Sequence, residues 1–176
     1  MLVGIDISHP EPGQEGKSMA AVVGSLDGCA GQYATHMSAQ DKKDDVSLCL
    51  KDAMTGLIKA FKDRNHVTPK NIIVFRGGVS EGQYQNVLNF ETEAIRESVV
   101  ANGGEKTDVK ISFIICSKRH STRLVFDQAR PDAAIGNDYV NLCSGVCVDA
   151  TTGADSIVSH SLHEFYLNSH AAIQGT

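Results

Sequence analysis

Two hydrophobic rhythms alternate along the chain: short unbroken apolar runs, and longer stretches with an apolar residue every three or four positions. Leu2–Ile7 reads as a buried strand that ends on Asp6, and the turn-rich His9-Pro10-Glu11-Pro12-Gly13 stops it. Met19–Leu26 is a second apolar run. Asp27-Gly28 then gives a hairpin signal, and Gln32–Ser38 is the returning strand, weakly alternating through Tyr33 and Met37. Val46, Cys49, Leu50, Ala53, Met54, Leu57, Ile58 and Phe61 form one helical stripe, and Pro69 lies shortly after its end. Asn71–Phe75 is short, continuous and apolar, the pattern of a central buried strand. Ser80-Glu81-Gly82-Gln83 has the spacing of a capping box and announces a second helix through Val87, Leu88, Ala94, Ile95 and Val99, with Gly103-Gly104 as its stop. Lys110–Cys116 is a further strand and Phe126–Asn141 a loop. Gly145–Asp149 and Glu164–Ser169 are two short strands. The order β-β-β-α-β-α-β predicts one α/β domain, a mixed sheet covered by helices.

Composition narrows the function. With 176 residues, 41% of them hydrophobic, the chain is long enough for a substantial core. No apolar run approaches the length of a membrane helix, and the first residues lack the basic and apolar regions of a secretory signal. The net charge of −5 argues against a general polyanion binder but leaves room for a local basic surface. Neither a Gly-x-x-x-x-Gly-Lys phosphate loop nor a Gly-x-Gly-x-x-Gly dinucleotide pattern occurs. The five cysteines (Cys29, Cys49, Cys116, Cys143, Cys147) include no Cys-x-x-Cys pair, and reduced, mostly buried thiols in an intracellular protein are expected.

Candidate chemistry gathers in few places. Asp6 closes a strand before a turn, where open α/β sheets carry functional carboxylates, although such an Asp is more often a turn or cap residue. Asp41, Asp44 and Asp45 stand before the first helix, where acids favour the positive end of the dipole. The segment Ser117-Lys118-Arg119-His120-Ser121-Thr122-Arg123 directly follows a strand. It carries three permanent cations and no acid, and suits phosphate oxygens as well as it suits a solvated loop. His160, His163 and His170 cluster without the carboxylates or cysteines that would complete a metal site.

Five collinear stretches resemble the PIWI domain of Argonaute proteins. They are Gly4-Ile5-Asp6-Ile7-Ser8-His9-Pro10, Ala20-Ala21-Val22-Val23-Gly24-Ser25, Gly78-Val79-Ser80-Glu81-Gly82-Gln83, Lys118-Arg119-His120-Ser121-Thr122-Arg123-Leu124 and Phe165 through Thr176. The resemblance covers nearly the whole chain and is weakest over Gly28–Asp41 and Phe126–Ser161. It implies an RNase H-like mixed sheet flanked by helices, and a role in small-RNA-guided silencing in the cytoplasm or nucleus. By resemblance, residues 1–176 are a PIWI domain that ends before the family's last site position, without residues matching the PAZ or MID domains.

In active members, acidic residues hold two Mg²⁺ or Mn²⁺ ions that cleave target RNA paired to a guide RNA. By that resemblance Asp6 matches the first metal ligand, and Asp45 falls where active relatives carry a glutamate. Active relatives also read Arg-Asp-Gly-Val-Ser-Glu-Gly where this chain reads Arg76-Gly77-Gly78-Val79-Ser80-Glu81-Gly82, so Gly77 stands at the position of an expected Asp. The acidic set is therefore expected to be incomplete and the chain not to cut RNA. The resemblance assigns Lys118, Arg119, His120 and Arg123 to the guide backbone, with His170 and Gln174 beside it. The leading expectation is an RNA-binding module for a small guide RNA and its paired target. One rival is a weak metal-dependent endoribonuclease using Asp6 and Asp45, helped by Glu81. The other is an interaction module that recruits silencing-complex proteins.

Overall fold

The computed structural model describes residues 1–8, 10, 16–40, 46–117, 147–149 and 165–167. They fall in two compact units, Met1–His120 and Ser121–Thr176. In the first, β1 (Leu2–Ser8), β2 (Ser18–Ser25) and β3 (Tyr33–Gln40) are followed by α1 (Val46–Asn65), β4 (Asn71–Gly77), a 3₁₀ turn (Glu81–Gln83), α2 (Tyr84–Ala101) and β5 (Lys110–Cys116). The described part of the second unit holds β6 (Cys147–Asp149) and β7 (Phe165–Leu167), paired antiparallel.

The five strands of the first unit lie in the order β3-β2-β1-β4-β5. β1 to β3 form an antiparallel meander, and β4 and β5 add to β1 in parallel through the helical crossovers α1 and α2. This is the mixed sheet of an RNase H-like fold, as the element order predicts.

Helices cover one face because the strands alternate. Val3 and Ile5 of β1, Val22 of β2 and Ile72 and Val74 of β4 point to the same side and are buried. Leu50, Ala53, Met54, Leu57 and Ile58 of α1, spaced at three and four, meet them there, as do Ala94, Ile95 and Val99 of α2. Met54, Ile58, Ile72 and Ile95 have no exposed surface, so cutting any one to Ala should cost about 2–5 kcal/mol.

The two helices are also joined by polar contacts. The Ser98 hydroxyl donates to the Lys51 carbonyl, the Asn102 amide to the Thr55 carbonyl, and the Lys62 ammonium to the Asn102 carbonyl. The opposite face of the sheet, by contrast, leaves large apolar side chains exposed, including Met19, Met37 and Phe75.

Two local expectations need correction, whereas the hairpin signalled at Asp27-Gly28 forms between β2 and β3. The ladder closes with the Leu26 N–H donating to the Gln32 carbonyl, and the Asp27 carboxylate organises the wider loop by accepting from the Gly31 N–H at 2.9 Å.

Ser80 does not cap α2. A 3₁₀ turn intervenes, Gln83 is the N-cap without a side-chain bond, and the Ser80 hydroxyl meets the Gln83 side-chain oxygen instead. Gly82, a weak helix former, lies within that 3₁₀ turn, and the α-helix starts after it.

The thiols are not mostly buried. Cys29 and Cys147 are exposed, Cys49 and Cys116 half-buried, and no disulfide joins them. Cys143 and the expected loop over Phe126–Asn141 lie outside the described residues.

The stop of α2 is as expected. Gly103 takes φ +81°, its N–H bonds the Val100 carbonyl, and the Gly104 N–H reaches back to the Val99 carbonyl. That pair of bonds is a Schellman motif.

Candidate functional site

The parallel register of β1 and β4 pairs Ile5 with Arg76, and one step further Asp6 and Gly77 stand side by side where that ladder stops. Asp6 does not end its strand as expected, because pairing with β2 carries β1 on through Ser8. A Cβ added to Gly77 would lie 2.9 Å from Asp6 Oδ1. The Asp6 carboxylate thus lies over the space that a side chain at 77 would need. It is exposed and accepts its neighbour Ile7's N–H at 3.2 Å. Gly78 follows with φ +71°, a left-handed conformation that suits glycine, and turns the chain away from the strand. β5 pairs Cys116 with Gly77, so the carboxyl ends of β1, β4 and β5 form one rim. Ligand sites of open α/β sheets sit at such a rim, where the strand order changes direction. The chain leaves β5 from this rim at Ser117.

The rim is held from the helix face by an ion pair that the sequence reading did not single out. Arg76 and Glu91 are both buried, with Nε of Arg76 3.0 and 3.1 Å from the two Glu91 carboxylate oxygens. Nη1 of Arg76 also donates to the Gly77 carbonyl, tying the strand end beside Asp6 to α2. Burial pushes the Glu91 carboxyl above its ordinary range, and Arg76 only partly offsets this. Both residues break an apolar pattern: Arg76 continues the run Ile72–Phe75, and Glu91 lies on the stripe that includes Ala94 and Ile95. Two opposite charges on inward positions were the signal available.

The metal chemistry implied by the resemblance needs several carboxylates to hold two closely spaced cations. Among the described residues the donors do not fit that need. Asp6 brings one carboxylate, Gly77 brings none, and no group of three His, Cys, Asp or Glu side chains is placed to hold an ion. Asp45 lies outside the described residues, as do Lys118, Arg119, His120, Arg123, His170 and Gln174.

A mixed RNase H-like sheet with an aspartate on its central first strand, where the parallel ladder to β4 stops, defines a class that the comparisons narrow to one family. The Piwi domain family matches residues 1–176, and the chain belongs to it. It is 38% identical over 177 residues to argonaute 2 of Oryza sativa subsp. japonica, a match covering all of this chain and 16% of that protein. With argonaute 5 of Arabidopsis thaliana it shares 34% over 192 residues, covering 18% of that protein. The chain therefore spans less than a fifth of the length of these relatives. Among solved structures, the C-terminal lobe of a budding yeast Argonaute is similar over 99% of this chain and 35% of its own, at 28% identity and a TM-score of 0.74. Kluyveromyces polysporus Argonaute, solved with a guide RNA, is similar over 72% of this chain and 15% of its own, at 30% identity and a TM-score of 0.63.

Proposed function

We propose that this PIWI domain binds a small guide RNA and its paired target without cutting the target. One observation carries the reading. Gly77 offers no carboxylate beside Asp6, and the Asp6 side chain lies over the space that one at 77 would occupy. Two divalent cations side by side need more negative charge than one aspartate supplies, so no step of the reading runs through Mg²⁺ or Mn²⁺.

Binding draws on other residues. Lys118, Arg119, His120 and Arg123, with His170 and Gln174, contact phosphate oxygens, and recognition rests on charge and A-form shape more than on base sequence. The kinship with a structure solved with a guide RNA supports this reading, as does the basic segment that begins directly after the rim. The working form is the longer Argonaute-like protein, with silencing-complex proteins as its partners in the cytoplasm or nucleus.

Filter binding of a guide–target duplex across a salt series tests the binding arm. Affinity should fall steeply with salt, and reversing the charge of Arg119 and Arg123 should weaken it roughly tenfold or more. A flat and negligible signal would favour the protein-recruiting reading instead. In the cleavage arm, labelled target RNA should stay intact with either Mg²⁺ or Mn²⁺. Product that disappears in Asp6→Ala would overturn the silent reading in favour of a weak endoribonuclease.

A further inference from the structure

β3 lies at the end of the five-stranded sheet, and no described strand pairs with its outer edge. Such edges are normally protected by lysine, proline, a bulge or short length. β3 has none of these. It runs for eight residues, Tyr-Ala-Thr-His-Met-Ser-Ala-Gln, without proline and without a permanent charge. Its pairing with β2 continues unbroken from Ser18↔Gln40 to Ser25↔Tyr33. The other edge strand, β5, opens on Lys110.

The direction of the unpaired groups follows from the ladder. The Leu26 N–H donates to the Gln32 carbonyl, which makes that pair a hydrogen-bonded one. By the alternation of an antiparallel ladder, Ala34, His36 and Ser38 then aim their peptide groups at β2, and Tyr33, Thr35, Met37 and Ala39 aim theirs outward. The outward-bonding residues also share one face, the one opposite the helices, where Met37 is 71% exposed and Tyr33 52%.

From this we infer that β3 is a self-pairing edge, which joins the β3 of a second copy of the chain antiparallel about a two-fold axis through His36. The register is constrained twice: like faces must meet like faces, and outward groups must meet outward groups. An axis through His36 satisfies both, setting Thr35 against Met37 and Tyr33 against Ala39 of the second copy. It places Met37 and Tyr33 in the new cross-strand packing on that face.

Charge selects the occupant. Self-pairing sets the strand against its own charges, which only a strand free of like charges tolerates. β3 is neutral within a chain of net charge −5. A strand built to receive a charged peptide would carry the complementary charge, and this one carries none. The union is expected to be weak, because one strand pair buries little area.

Sedimentation of the full chain from micromolar to millimolar concentration tests this. A reversible monomer–dimer equilibrium is expected. Met37→Lys and Met37→Glu should each weaken it by roughly tenfold or more, since both place like charges across the axis. Mixing the two variants should restore association, because the lysine of one copy and the glutamate of the other, diagonal neighbours across the axis, then attract. That recovery separates lost pairing from lost folding. Ser112→Lys, on the opposite edge strand, should leave the dimer intact. A chain that stays monomeric throughout the range overturns the inference, and so does an association that Met37→Lys leaves unchanged. In either case the edge is left to another occupant, such as an extended peptide of a partner.

Discussion

Glycine at position 77 alters more than a count of ligands. Because Asp6 has turned toward it, Gly77→Asp must push the Asp6 carboxylate aside, and the two acids then face each other at close range. Moving the far end of one short side chain costs little, so the penalty is mostly like-charge repulsion. In low salt without divalent ions, Gly77→Asp should lower stability by about 1 kcal/mol, and Mn²⁺ should recover much of that while moving the parent protein little. Thermal unfolding with and without Mn²⁺ reads both effects, and a variant indifferent to the ion would mean that positions 6 and 77 are not neighbours. Gly103 provides a separate check. Its φ of +81° predicts a loss of about 1 kcal/mol for Gly103→Ala by urea unfolding. At this scale the sequence was legible where a residue type has one job, as with the glycines that stop α2. The start of α2 was not, because the spacing of Ser80 and Gln83 suits a 3₁₀ turn as readily as a capping box.

Between elements, the Arg76–Glu91 pair joins β4 to α2 through the core. Removing one partner strands a buried charge, so Glu91→Ala should cost about 3–5 kcal/mol, whereas Arg76→Met with Glu91→Leu should stay near the parent. Equilibrium unfolding of the two variants distinguishes a bridge that holds the fold from one that apolar packing could replace.

The pair also has a pH signature. Glu91 binds its proton more tightly folded than unfolded, so its contribution is full below the ordinary carboxylate range and fades as pH rises through its folded value. The stability advantage of the parent over Glu91→Gln should therefore shrink from acidic to neutral pH. Glu97 runs the other way. The hydrogen bond and charge of Lys51 lower its pKa, so its contribution is lost as pH falls, and it is small because the pair is exposed. Urea titrations of Glu91→Gln and Glu97→Gln at pH 4 and 7 would show the opposite trends. Element types and order were legible because apolar periodicity records burial directly. The ion pair escaped notice because a charged residue in an apolar stripe is read as noise until its partner across the core is known.

For the molecule as a whole, the described core cluster draws every member from the first unit, from Val3 to Val109. A chain ending at His120 should therefore keep a cooperative unfolding transition and its helical circular dichroism, and a broad, non-cooperative melt would count against it. What the sequence did not reveal is the strand order, since adjacency across parallel strands leaves no local pattern. That order has a consequence during synthesis. Of this sheet the first strand made is the central one, and the Met1 nitrogen before it donates to the carbonyl of Asn71, 70 residues later. At about 5–20 residues per second, the nascent chain spends several seconds outside the ribosome with one flank of Leu2–Ser8 open to chaperones and to wrong pairings. Translation speed through the α1 region is thus coupled to the yield of correctly assembled sheet.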